Sequence, residues 1–156
     1  MRIRVIAVGT KMPVWVDTAA SDYSARLPAE LALEWREVRA EPRNASGSPA
    51  VWMQREAERI RSAIMPGAWR VVLDERGRDQ TTRQFAQRVG AWRDRSAPVA
   101  LVIGGPDGID PALRDEADEL VRLSSLTLPH PLVRVVLAEQ LFRAWSILTG
   151  HPYHRD

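Results

Sequence analysis

The chain has 156 residues, 45% of them hydrophobic and 27% charged, with a formal net charge of +2 and no cysteine. That length supports one buried core, so a single domain over 1–156 is expected, and the composition excludes an intrinsically disordered chain. The missing cysteines exclude a disulfide framework and thiolate metal sites, which makes a reducing cytoplasm the expected setting.

The first predicted element is a strand, "RIRVIAVG" at 2–9. Its apolar run of about five residues is too short for a signal-peptide core or a membrane span, so no membrane association is expected. A helix follows over roughly 14–27, then a strand "LALEWREV" at 31–38. The polar stretch "AEPRNASGSP" at 40–49 predicts a surface loop and the most flexible part of the chain. A helix over 49–65 leads to a strand "WRVVLD" at 69–74 and a helix over 81–95, where Phe85, Val89 and Trp92 share a face behind a Thr81 or Thr82 cap. "PVALVIGG" at 98–105 predicts a strand, 110–119 a helix, and "VRLSSLTL" at 121–128 a weaker fifth strand. The last helix, Leu132 to Leu148, carries Val133, Leu137, Leu141, Trp145 and Leu148 on one stripe, with Val136 widening it and Gly150 as the stop. A face that broad calls for burial on two sides, in its own core and against a second copy. Strands alternating with helices give an α/β fold, a mostly parallel sheet with helices on both faces.

Twenty-one of the 22 basic residues are arginine and the single lysine is Lys11. A GC-rich genome accounts for most of such a bias, while arginine's planar fork permits an RNA partner without requiring one. Arg2, Arg4 and Lys11 could reach phosphates or simply be solvated.

In an open parallel sheet, ligands sit beyond the carboxyl ends of the strands. After the first strand "VGTKMP" has one glycine, which argues against a dinucleotide fingerprint; the glycines come after the fourth, in "IGGPDG". That turn reads equally as a cleft floor or as a plain strand-to-helix turn. Without a GK[ST] partner it gives little support to a phosphate-binding hydrolase. "VLDERG" and "LSSLTLPHP" could converge on the same cleft, and Pro129 and Pro131 stop both helix and ladder there, leaving backbone groups to hold an adenine-sized ligand. Asp74 could touch such a ligand, and Asp107 reads as a turn residue. His130, His151 and His154 raise the question of a metal, but Pro152 separates the last two and only Asp156 is a nearby carboxylate, so none is expected.

Together "VGTKMP", "LDERG", "IGGPDG", "LSSLTLPHPLVRVVLAEQLFRAWSI" and the terminal "HPYHR" resemble the RlmH family, SPOUT-superfamily methyltransferases that modify pseudouridine in large-subunit ribosomal RNA. The likeness runs from Val8 to Arg155, with no motif between 28 and 68. It implies a C-terminal trefoil knot, rare among folds, an S-adenosylmethionine cofactor, a homodimer, and methylation of N3 of a pseudouridine in 23S rRNA on the ribosome. It implies cofactor contacts from Leu73, Gly104, Gly105, Leu123, Ser124, Ser125, Leu126, Thr127 and Leu128. Glu139, Arg143, Tyr153 and His154 then fall at catalytic positions, and His130, Arg155 and Lys11 at substrate-facing ones.

On that footing His154 or a relayed water takes the N3 proton, Arg143 steadies the anion and Tyr153 packs on the base. Plainer readings stand beside these. Glu139 and Arg143, four apart, form an ordinary helical ion pair worth a few tenths of a kcal/mol; His130 between two prolines could be structural; the tail could be a polar end. The alternative function is a non-catalytic ribosome-binding factor of the same fold.

Overall fold

The computed structural model describes residues 1–44 and 46–155. Ala45, within the predicted loop, and Asp156, the carboxylate near the tail histidines, lie outside the described residues.

The elements run β1 (Arg2–Val8), α1 (Val14–Ala25), a 3-10 turn (Ala29–Leu31), β2 (Ala32–Val38), α2 (Pro49–Ala63), β3 (Trp69–Arg78), α3 (Thr82–Asp94), β4 (Val99–Ile103), α4 (Pro111–Asp115), β5 (Glu119–Val121) and α5 (His130–Thr149). The five strands form one sheet in the order β2-β1-β4-β3-β5, every pairing parallel. Strands at the centre of such a sheet are covered on both faces, and all five residues of β4 are buried.

Period-two alternation sorts the side chains into two cores. Ile3, Val5, Ala7, Val71, Val99, Leu101 and Ile103 meet Phe85, Val89 and Trp92 of α3 and Leu137, Leu141 and Ala144 of α5. On the other face Ile6, Val8, Val72, Ala100 and Val102 meet Ala57, Ile60 and Ala63 of α2 and Leu113 of α4. Helix α1 packs on α5. Thr81 caps α3 through a reciprocal capping box with Gln84.

The boundaries that differ most from the sequence reading lie around the carboxyl ends of the strands. The fifth strand is Glu119–Val121, so most of the predicted strand 121–128 lies outside the ladder and α4 is correspondingly short. Strand β3 runs four residues past Asp74, with an irregular register between Leu73 and Arg78. Helix α5 starts at His130, because Pro129 caps it and Pro131 sits in the first turn, where a missing N–H costs no intrahelical bond. Around the predicted flexible loop, Glu41 is 8% exposed and paired with Arg55 and Arg59, and Arg43 is paired with Glu56, so charge pairing anchors both residues.

Candidate functional site

The carboxyl ends of β3 and β4 and the segment after β5 enclose a cavity of about 540 Å³, within the range of small-molecule sites. Leu73, Gly104, Gly105 and the whole run Leu123, Ser124, Ser125, Leu126, Thr127 and Leu128 line it, with Asp74, Ile103, Val121, His130 and Val133. All nine residues named as cofactor contacts therefore border one space.

Glycine is needed at the floor. A Cβ on Gly104 would stand 2.7 Å from Ile109 Cδ1 and 3.0 Å from the Gly108 carbonyl, and one on Gly105 2.9 Å from Glu56 Oε1. The backbone itself thus forms that wall. Residues 122–129 are neither helix nor strand, and the two prolines prevent the ladder from continuing. Residues of this segment border a hollow lined by polar and apolar groups together, a setting that suits recognition of a flat heterocycle. S-adenosylmethionine fits these surroundings: backbone donors and acceptors for its adenine and aliphatic walls from Leu73, Leu123 and Leu128, with Asp74 also in the lining.

His130 closes the cavity at the start of α5, and both its ring nitrogens are engaged. Arg134 Nε donates to its Nε2 at 3.0 Å, so the ring proton sits on Nδ1 and is donated to the Gly104 carbonyl at 2.8 Å. Burial first, and the neighbouring Arg134 charge second, hold its pKa below the ordinary value. The ring is neutral and fixes the glycine wall.

Arg134 itself, 3% exposed, is a site residue that the sequence reading missed. It donates to Glu37 Oε2 at 2.5 Å and to the Gly9 carbonyl at 2.8 Å, tying α5 to the ends of β1 and β2. An arginine four residues after His130, within the apolar run from Leu132 to Leu137, was the available signal.

A second polar cluster lies at the far end of α5. Arg143 Nε donates to Glu139 Oε1 at 2.8 Å, Tyr153 Oη donates to the same oxygen at 3.0 Å, and Arg143 Nη1 lies 3.2 Å from His154 Nδ1. The Arg143 guanidinium also sits 4.7 Å over the Tyr153 ring, and Phe142 packs 4.6 Å from that ring. Gln140, also missed, donates to Glu139 Oε2 at 2.8 Å and accepts from Thr82 Oγ1 at 3.0 Å, so α3 holds the carboxylate in place. Burial, then the hydrogen bond to Glu139, pushes the Tyr153 phenol up to about 12, so it stays protonated and donates. The Glu139 carboxylate holds Arg143 above its usual value. The His151 ring packs at a tilt, 5.2 Å from that of Trp145.

Glu139, Arg143, Tyr153 and His154 are thus brought together, but not at the cavity of their own chain. Arg143 is thirteen residues along α5 from His130, about 20 Å, and residues 151–155 are not among those lining the cavity. The tail packs on Phe142 and Trp145 instead. Lys11 and Arg155 are exposed and part of neither group. Among the described residues no three His, Cys, Asp or Glu side chains are grouped to hold a metal, and no helix is long and apolar enough to cross a membrane.

A family model described as "Predicted SPOUT methyltransferase" matches residues 1–154. The curated protein "Ribosomal RNA large subunit methyltransferase H" of Bordetella pertussis is 57% identical over 155 residues, covering 99% of each chain. Its namesake from Ralstonia pickettii is 51% identical over the same extent. A solved methylase family protein from Neisseria gonorrhoeae superposes with a TM-score of 0.54 at 14% identity, covering 98% of this chain and 95% of that one, a likeness of fold alone.

Proposed function

The chain belongs to the SPOUT methyltransferase family, and from that membership we propose that it transfers a methyl group from S-adenosylmethionine to N3 of a pseudouridine in 23S ribosomal RNA. In this reading it works in the cytoplasm as a homodimer, on the assembled ribosome, and its C-terminal part is knotted as a trefoil. The observation that carries the reading is the full-length likeness to large-subunit rRNA methyltransferases.

When bound, S-adenosylmethionine supplies an electrophilic methyl group on a positively charged sulfur. Gly104, Gly105 and the main chain of 123–128 hold the adenosine, and Leu73 packs against it. These groups align donor with acceptor and keep water out, which is most of what an in-line methyl transfer needs. The acceptor nitrogen must also lose a proton. Arg143 stabilises the charge left on the base, and Tyr153, held by Glu139, packs on the base or hydrogen-bonds to it. Because Arg143 donates toward His154 Nδ1, the ring keeps its proton on Nε2 while that bond lasts. The N3 proton therefore passes to His154 Nδ1, directly or relayed by a water, once Arg143 turns to the anion. Arg155 and Lys11, both exposed, are assigned to RNA contact by the family resemblance, whereas His130, also assigned there, acts through the Gly104 wall that it holds.

The dimer is supported by the separation along α5. One chain offers a donor cavity at one end of the helix and the arginine–tyrosine–histidine cluster at the other, about 20 Å away, and a second copy can bring the two together.

The test is mass spectrometry of ribosomal RNA from cells lacking the protein. Loss of one methyl group from a 23S pseudouridine, restored by adding the protein and S-adenosylmethionine to purified ribosomes, is expected. Unchanged RNA, or a protein that binds ribosomes but no donor, would instead favour a binding factor.

A further inference from the structure

The glycine turn of the cavity is held from behind by charged groups that the methyl transfer does not use. Glu56 on α2 is 2% exposed, unusual burial for a carboxylate. Its Oε2 accepts from the Glu41 N–H at 2.9 Å and from Arg43 Nη1 at 2.7 Å. Its Oε1 is buried with no hydrogen-bond partner among the described residues, and it lies where a Cβ on Gly105 would come within 2.9 Å. Arg43 reaches onward to the turn: Nε and Nη2 donate to Asp107 Oδ2 at 3.1 and 2.6 Å. One guanidinium thus joins the carboxylate beneath Gly105 to the carboxylate beyond Pro106.

A half-satisfied buried carboxylate is a poor way to gain stability, since apolar packing of the same volume does as well or better. What this arrangement does supply is position. The turn carries three glycines in five residues, Gly104 to Gly108, and such a segment visits many backbone conformations unless held. His130 holds it at the Gly104 carbonyl; the pull on Asp107 fixes the opposite end. A turn ordered before the ligand arrives removes an ordering cost from binding.

We propose that Glu56, Arg43 and Asp107 are positioning residues, a salt-bridge strap outside the cavity that pre-forms the glycine turn and thereby sets the affinity for the methyl donor. The inference rests on the reading that the cavity takes S-adenosylmethionine. None of the three residues lines the cavity, so their effect falls on donor binding and not on the transfer step.

The experiment is calorimetric titration of full-length wild type, Arg43→Ala, Arg43→Lys and Asp107→Asn with S-adenosylmethionine, followed by donor-dependent kinetics on ribosomes. Arg43→Ala is expected to weaken donor binding about twofold to fivefold, the size of effect a partly exposed ion pair supports, and to raise the donor KM equally. Turnover at saturating donor should fall less than about twofold. Arg43→Lys should lie between, because one ammonium cannot bridge both carboxylates in a fork. Asp107→Asn, isosteric and on the surface turn, tests the strap without disturbing the core and should weaken binding by a smaller factor in the same direction. Wild-type affinity in both Arg43→Ala and Asp107→Asn, or a loss confined to turnover, would overturn the strap. Failure of the wild type itself to bind the donor would overturn the reading of function beneath it.

Discussion

Arg134 donates to His130 Nε2 at 3.0 Å, and this bond decides the chemistry of the cavity wall. A guanidinium can only donate, so the histidine must accept on that nitrogen and present its one proton to Gly104. The ring is committed to the neutral state by its partner as much as by burial.

A pH dependence follows. The folded pKa of His130 lies below its ordinary 6.5. Above about pH 6.5 the ring is neutral folded or unfolded, and its contribution to stability is complete. As pH falls, the unfolded chain takes up the proton first, so that contribution is lost through the folded value. The melting temperature of wild type should therefore fall relative to that of His130→Gln as pH drops below about 6.5, because glutamine can offer a donor and an acceptor without titrating. Curves that stay parallel from pH 8 to pH 5 would show that the ring is not held neutral.

Arg143 and His154 are expected to matter to transfer and not to donor uptake. Neither side chain lines the cavity of its own chain, and in the proposed dimer both act on the base, so Arg143→Ala and His154→Ala should bind S-adenosylmethionine with affinities within about twofold of wild type. Arg143→Ala should lower turnover on the order of a hundredfold, the size of effect seen when a charge-stabilising donor is removed. Wild-type turnover in both variants would remove these residues from the mechanism.

The separation along α5 makes a mixing test decisive. Gly104→Val should destroy the donor site, since a Cβ there already meets Ile109 and Gly108, and Arg143→Ala should destroy the other cluster. If a functional site takes one part from each of two copies, each variant is inactive alone. Refolding them together then restores about a quarter of wild-type activity, from mixed dimers holding one intact site. No restoration, with mixed dimers confirmed by mass, would place both parts of the site within a single chain.

How much of this was legible in the sequence differs by element. The glycine turn, the Leu73 strand end and the proline-bracketed segment were all readable, because loop chemistry at strand ends is written in glycine and proline. The fifth strand was read two residues late, since "VRLSSLTL" alternates enough to look extended while the ladder stops at Val121. The start of α5 was read late because a proline in a first helical turn resembles a stop. Arg134, Gln140 and Glu56 were missed for a different reason: their roles lie in partners 97, 58 and 13 residues away in the chain. Local pattern says nothing about such pairings. Even the predicted Glu139–Arg143 pair gains its meaning only from Tyr153 and His154 folding back onto it.

That folding back carries the last prediction. Residues 151–155 are fixed by Tyr153 Oη on Glu139, by the Tyr153 ring 4.6 Å from Phe142, and by His151, whose N–H donates to the Ser146 carbonyl at 2.9 Å. None of these contacts enters either of the two buried cores, and Gly150, with φ at 72°, already ends the helix in the left-handed conformation that suits glycine. A chain ending at Gly150 should therefore keep its circular dichroism spectrum. It should lose roughly 1 to 2 kcal/mol of stability, the order expected when an aromatic contact and a hydrogen bond are removed. Donor affinity should be retained, because none of residues 151–155 lines the cavity. Methylation should disappear, since Tyr153 and His154 are gone and Arg143 has lost two of the groups that hold it. A truncated protein that is folded, binds donor and still methylates would show the tail to be packing alone.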